Sequence, residues 1–377
     1  MSWISRDNAL KLLGVKAQTL YAYVSRGRIA MRADPDDPRQ SLYAHQDVEA
    51  LVQRRKKGRA RGAIAGQAIA WGDPVLETSI ATVRDGRLIF RGRDAVEWSA
   101  HATLEDTAAL LWNAALTAPQ REKSIKFAAN QNAKTRGFLY LASRASTDAP
   151  MLGRGREALC EDASALLYGL FDAMTLRLCE GALHERLGAA WGLSRKQTDV
   201  LRRALVLLCD HELNPSTFAA RVAAGTGGPL AASALAGYAT LSGPLHGEAA
   251  QRAMAYLSEC ANDEPRRVLQ RWAARGEGPP AVGHPLYSGG DPRAKALLAA
   301  LKPNAAIARA INGAERASGE SANIDLAIAS MTRQWALPDT APFTIFALAR
   351  MVGWMAHAME QRAASRMIRP RASYIGP

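Results

Sequence analysis

Two imidazoles, a guanidinium and a carboxylate stand in short polar segments of a chain that is otherwise rich in Ala and Leu. They are His246 in GPLHGEAA, His284 and Arg293 in GHPLYSGGDPRA, and Asp325 in NID. Such groups can take a proton from carbon, donate to an oxygen on which charge develops, and hold an anion in place. Each also has a plainer reading. His246 can sit hydrogen-bonded in a tight turn before GEAAQRAMAYL, DPR is a common turn with proline at its second position, and Asp325 suits a helix start after Asn323.

The elements that must position these groups are legible in the periodicity. Ser5 caps a short helix carrying Ala9, Leu10, Leu12 and Leu13, Gly14 breaks it, and VKAQTLYAYVSRG resumes with Val15, Leu20 and Val24 inward. GRIAMRADPDDPRQSLY then reads as a wing between two short extended pieces, and DVEALVQRRKK as a third helix. KKGRARGAIAG has the composition of a linker. From Ser79, IATVRDGRLIFRG alternates around Asp85-Gly86, a pair suited to a type I′ hairpin. Helical spacing follows in LEDTAALLWNAAL, REALCEDASALLYGLFDAM and SRKQTDVLRRALVLLCDHEL, with Thr103 and Ser194 as N-caps. Breaks fall at Gly225–Pro229, Gly276–Pro280 and Gly289–Pro292.

At 377 residues and 48% hydrophobic content, the chain can build two or three domains with cores of their own. Net charge is +13, and residues 1–61 hold 13 Lys/Arg against 6 Asp/Glu, a local excess that suits a polyanion such as DNA. Cys160, Cys179, Cys209 and Cys260 lack CxxC spacing, which speaks against a disulfide framework and a metal site. With neither an 18-residue apolar run nor a secretory signal at MSWISRDNALK, a cytoplasmic protein without membrane contact is expected.

Six segments carry a resemblance. HELNPSTFAARVAAGTGG, GPLHGEAA, GHPLYSGGDPRAKAL, NIDLAIASM, ARMVGWMAHAMEQ and RPRASYIGP occur in the order found in the citrate synthase family, which the chain resembles from about Thr78 to Pro377. Residues 1–58 are similar to the small winged helix-turn-helix of MerR-like and excisionase-like DNA-binding proteins. The resemblance implies a mainly α, two-domain citrate synthase-like fold preceded by that small domain. Its bounds would be 1–58, a linker at 59–77, a large domain at about 78–247 and 329–377, and a small domain at about 248–328, closing over substrate.

It further implies an acyltransferase that converts the acyl group to alkyl on transfer, joining acetyl-CoA or another short acyl-CoA to oxaloacetate with water. Asp325 would remove the proton from the thioester methyl, His246 would stabilise the enol oxygen, and His284 would polarise the ketone. His211, Arg293, Arg350 and Arg369 would bind the oxo acid, Arg369 across the interface of a homodimer. No tightly bound cofactor or metal is implied; the acyl-CoA is a cosubstrate. In the N-terminal segment, Lys16, Gln18, Thr19, Tyr23 and Arg26 would face a major groove, with Arg28 and Arg32 near phosphates. The alternative is a DNA-binding regulator that senses a CoA ester or a tricarboxylate in the same pocket. HGEAA stands where HGGAN is frequent and HPLY where HRVY is frequent, which puts Glu248 and Pro285 beside the two histidines. His45, His101, His184 and His357 read as surface or packing residues.

Overall fold

In a computed structural model, the described residues are 2–15, 17–25, 28–35, 37, 40–52, 76–116, 127–128, 130–176, 181–247, 249–372, 374 and 376. The side chains of Gln18, Ala22 and Ser25 are outside the description, as are Lys16, Arg26, Glu248 and most of the expected linker. The chain divides into two compact units, Met1–Glu77 with Arg371–Pro377, and Thr78–Pro370.

In the first unit, β1 (Trp3–Ser5) leads into α1 (Arg6–Leu13), where the Ser5 side chain accepts the Asn8 N–H. Gly14 ends α1 in the left-handed region at φ 60°, a conformation that costs glycine little. α2 (Ala17–Ser25), β2 (Met31–Ala33), β3 (Ser41–Ala44) and a helix over residues 45–52, α3, follow. The strands form one antiparallel sheet in the order β1-β3-β2. Ala9, Leu13, Leu20, Ile29, Tyr43 and Val48 form its core.

The second unit opens on the hairpin of β4 (Ala81–Arg84) and β5 (Arg87–Phe90). Asp85 at φ 52° and Gly86 at φ 70° supply the two left-handed residues a type I′ turn requires. β6 (Arg93–Asp94) completes a small antiparallel sheet. Everything regular that follows among the described residues is helical. The elements are α4 (Ala95–Ser99), α5 (Leu104–Trp112), α6 (Ala133–Thr147), α7 (Arg156–Thr175), α8 (Leu183–Ala190) and α9 (Arg195–Leu208). After these come α10 (Pro215–Ala224), α11 (Leu230–Leu241), α12 (Ala249–Asn262), α13 (Pro265–Ala274) and α14 (Pro292–Leu301). The last are α15 (Ala305–Ser318), α16 (Ile324–Gln334) and α17 (Ala341–Ala363). Capping boxes at Thr103 and Ser194 start α5 and α9, and the expected Gly/Pro clusters lie between helices.

α17 organises the core. Every residue from Ala341 to Met359 is buried, as expected of a helix that is apolar almost all round. It packs on α5, α7, α9, α10 and α11 within a large hydrophobic cluster. At Gly353 the segment after α9 comes so close that an added Cβ would lie 2.4 Å from the Cys209 carbonyl oxygen. A second cluster joins α12, α13, α15 and part of α16 through Met254, Tyr256, Leu257, Trp272, Ile311 and Leu326. Among the described residues, no helix is long and apolar enough to cross a membrane.

Candidate functional site

His246 lies in the loop between α11 and α12. The Gly247 N–H donates to the Leu241 carbonyl at 2.9 Å, and a Cβ on Gly247 would fall 2.4 Å from that oxygen, so this sharp turn requires glycine. The turn sets His246 Nε2 2.9 Å from Ser216 Oγ, at the start of α10. Ser216 also donates to Asn214 Oδ1 (2.7 Å) and accepts from Trp354 Nε1 (3.2 Å). Asn214 Oδ1 is already oriented as the cap of α10 by the Thr217 N–H. The single hydroxyl proton therefore goes to Asn214, His246 donates from Nε2, and its Nδ1 is left as an acceptor. Burial, followed by the field of Arg350, pushes His246 down to about 4, so the ring is neutral near pH 7.

His284, in the loop before α14, accepts the Leu286 N–H at Nδ1 (3.2 Å), which places its own proton on Nε2. Its ring lies 4.9 Å from that of His211 and 4.9 Å from that of Tyr287. His211 Nε2 is 2.9 Å from the Tyr287 hydroxyl. Burial and then the Arg293 charge lower both histidines, His211 strongly, so both are neutral donors or acceptors.

Arg293 and Asp325 come together at the starts of α14 and α16. Asp291 caps α14 by accepting the Arg293 N–H, and it also takes Arg293 Nε at 3.0 Å and a terminal nitrogen at 2.8 Å. Its second oxygen accepts the Ile324 N–H at 3.1 Å, which ties the two helix starts together. Burial works against the Arg293 charge, but Asp291 more than offsets it and the guanidinium is held firmly charged. Asp325, one residue further along α16, makes no carboxylate hydrogen bond among the described residues. Burial pushes it up to about 6 against the pull of Arg293, and Asp291 adds to the rise. A carboxyl poised there is mostly ionised at pH 7 yet a stronger base than an ordinary carboxylate.

Arg350, 2% exposed in α17, gives Nε to the Leu208 carbonyl at 2.8 Å and lies over the Phe346 ring. Burial pushes it down to about 10, with Asp210 opposing, and it remains cationic near pH 7. The sequence reading missed Asp210, Asp291, Ser216 and Tyr287. It also placed His357 among surface or packing residues; His357 is fully buried, and what that reading lacked is its hydrogen-bonding between Asp210 and Arg221. The signal was present: His357, Glu360 and Gln361 are polar positions spaced three and four apart in a helix whose other polar residues are Thr344, Arg350 and Arg362.

The fields that His211, His246, His284, Arg293, Asp325 and Arg350 exert on one another place them in one cluster. Arg369 is not part of it: it lies exposed in the extended segment after α17. In the first unit, Thr19, Arg28 and Arg32 are exposed and Tyr23 is half-buried, with the Arg32 guanidinium 4.5 Å above the Trp3 ring. Lys16, Arg26, the Gln18 side chain and Glu248 fall outside the described residues, while Pro285 is exposed.

The family model for the citrate synthase C-terminal domain matches residues 172–371. Citrate synthase 2 of Bacillus subtilis is 34% identical over 194 residues, 48% of this chain and 52% of that protein. The 2-methylcitrate synthase of Shewanella oneidensis gives the same identity over the same length and the same shares. The chain thus spans about half the length of the curated relatives it matches. In fold, it is similar to citrate synthase from Thermoplasma acidophilum, solved as a ternary complex with carboxymethyl coenzyme A and oxaloacetate. That likeness has a TM-score of 0.67 at 23% identity and covers 81% of this chain and 94% of the other. A family match over more than half of the 377 residues, on the helices and loops that carry His211, His246, His284, Asp325 and Arg350, makes this chain a member of the citrate synthase family.

Proposed function

We propose that the second unit condenses acetyl-CoA, or another short acyl-CoA, with oxaloacetate and water to give citrate or a 2-alkylcitrate and free CoA. The observation that carries this reading is Asp325: a carboxyl raised to about 6, without a hydrogen bond on its oxygens among the described residues, amid neutral imidazoles and two buried arginines. In its ionised form it takes a proton from the carbon next to the thioester carbonyl. His284 offers its Nε2–H to the ketone oxygen of the oxo acid and makes that carbon electrophilic. The new carbon–carbon bond joins the two, and water then cleaves the thioester, with the CoA sulfur leaving as thiol.

His246 takes the enol oxygen, and the geometry adds a requirement. Its remaining nitrogen is Nδ1, which can donate only if Nε2 becomes the acceptor. Ser216 meets that need by turning its hydroxyl from Asn214 to Nε2, so the hydroxyl rotation selects the reactive tautomer. Arg350, Arg293 and His211 bind the dicarboxylate, and Arg369 joins them from the other subunit of a homodimer. Residues 248–328 form the small domain that closes on the large one. Oxaloacetate and a derivative of coenzyme A are the two ligands named for the Thermoplasma complex, and the name of the Shewanella relative, a 2-methylcitrate synthase, supports including an acyl donor longer than acetyl.

Free thiol release measured with acetyl-CoA and propionyl-CoA, each with oxaloacetate, tests the reading. Release that depends on both substrates and is lost in Asp325→Ala supports it. Equal rates in wild type and Asp325→Ala would sink it.

A second role rests on the first unit. The two helices joined at Gly14 and the antiparallel β2–β3 pair present Thr19, Arg28 and Arg32 to solvent, an arrangement suited to a winged helix-turn-helix that reads duplex DNA. Retention on duplex DNA that weakens steeply with salt supports this. No retention at low salt removes it, leaving the condensation reading untouched.

A further inference from the structure

Among the buried polar groups that the proposed chemistry leaves unused, Asp210, His357, Arg221 and Gln361 form one continuous line with Glu360. His357 Nε2 lies 3.0 Å from both carboxylate oxygens of Asp210. On its other side, His357 Nδ1 is 3.1 Å from a terminal nitrogen of Arg221. Arg221 continues to Glu360 at 2.7 Å and to Gln361 at 3.1 Å, and the other Glu360 oxygen accepts the Ser79 N–H and hydroxyl. Asp210 and His357 are fully buried, and Arg221 nearly so.

The direction of this line follows from the groups themselves. A guanidinium has donors and no acceptor, so His357 Nδ1 must accept and the ring proton must sit on Nε2, pointing at Asp210. Asp210 precedes His211 in the chain, and its charge is the largest influence keeping Arg350 protonated against burial. Yet no hydrogen bond joins Asp210 to Arg350 among the described residues. The carboxylate compensates the guanidinium through space while its own oxygens are held by His357, and the two terminal nitrogens of Arg350 have no protein acceptor among the described residues. An uncompensated cation this deeply buried would be costly, and one fully paired with a carboxylate would have little left to offer a ligand.

We propose that Asp210 and His357 are positioning residues for oxo-acid binding. Arg221 locks His357 in the Nε2–H tautomer, His357 holds the Asp210 carboxylate, and Asp210 faces the Arg350 charge without occupying its terminal donors while anchoring the segment that carries His211. This rests on the reading that Arg350 receives a carboxylate of oxaloacetate.

The test uses the full chain and titration calorimetry with oxaloacetate. His357→Asn keeps an acceptor for Arg221 but removes the donor to Asp210, whereas His357→Gln keeps a donor that reaches Asp210. Oxaloacetate affinity is expected to fall about 10- to 100-fold in His357→Asn and Asp210→Asn and to recover in His357→Gln. In turnover, KM for oxaloacetate should rise with it while kcat changes little. Wild-type affinity in His357→Asn would overturn the proposal and leave the condensation reading intact. Absence of oxaloacetate binding to the wild type would overturn both. Nitrogen NMR of histidine-labelled protein gives an answer that does not depend on ligand or on the variants folding. A His357 proton on Nε2 supports the assignment, and one on Nδ1 overturns it.

Discussion

At the α14–α16 junction, Arg293 gives Nε and a terminal nitrogen to Asp291, a carboxylate two residues away in the chain. At the junction of α9 with α17, Arg350 gives only Nε among the described residues, and to a backbone carbonyl, while the nearby carboxylate of Asp210 is bound by His357. Both arginines are buried to the same degree, yet Asp291 secures the charge of the first and burial draws down that of the second. The difference separates two jobs that a buried cation can have. Besides the contact proposed with the dicarboxylate, Arg293 locks the starts of two helices and shapes the field at Asp325; Arg350 keeps more of its donors for an incoming anion.

The sharpest way to break that comparison is to remove each guanidinium in turn. Arg350→Gln should lower kcat/KM for oxaloacetate by about 10³-fold, the scale for truncating one partner of a buried charged contact. Its urea unfolding midpoint should move far less than that of Arg293→Gln. The latter leaves Asp291 buried without its cation and should cost about 3–5 kcal/mol of stability. Equal unfolding midpoints for the two variants would erase the distinction.

Asp325 reports on both arginines. As the base it must be ionised, so kcat/KM for the acyl-CoA should fall as pH drops through about 6. The stability effect has the opposite sense. A folded-state value above that of the unfolded chain means the folded protein binds this proton more tightly, so the extra stability is present at low pH and lost as pH rises through about 6. Asp325→Asn should therefore unfold later than wild type at pH 7.5, by about 1–2 kcal/mol, while being inactive. The gap should close towards pH 4. A smaller effect is expected at Ser216: replacing it with Ala removes the rotating hydroxyl and should slow thiol release about 10-fold with little change in KM for oxaloacetate. An unchanged rate would mean that His246 selects its tautomer without that hydroxyl.

Much of the local architecture was legible because its causes are local. Ser5, Thr103 and Ser194 cap helices where their hydroxyls meet the first free N–H groups, and Asp85-Gly86 turns a hairpin because both residues accept positive φ. His246, His284, Arg293, Asp325 and Arg350 were legible through motif order, and the structure collects them into one cluster. His357 was not, because a histidine in an apolar helix looks like packing until the helix face opposite it is known. The Asp291 grip on Arg293 was missed for a different reason: DPR reads as a turn, and only the burial of both side chains turns it into an ion pair.

By itself, then, the chain determined a helical body, a hairpin at its start, a basic N-terminal segment and the identity of the acid, base and cation candidates. The helices, the hairpin and the basic segment follow from spacing and composition within a few residues, and the candidates from the resemblance that the motif order carries. Only the tertiary structure decided which cation is already satisfied and which is open, which nitrogen of each imidazole carries the proton, and that Asp325 is lifted to about 6. These properties are sums over groups brought together from distant parts of the chain: Asp210 and His357 are 147 residues apart and Ser216 and Trp354 are 138 apart. Protonation and charge are set by burial and by the fields of such neighbours, which no local pattern encodes.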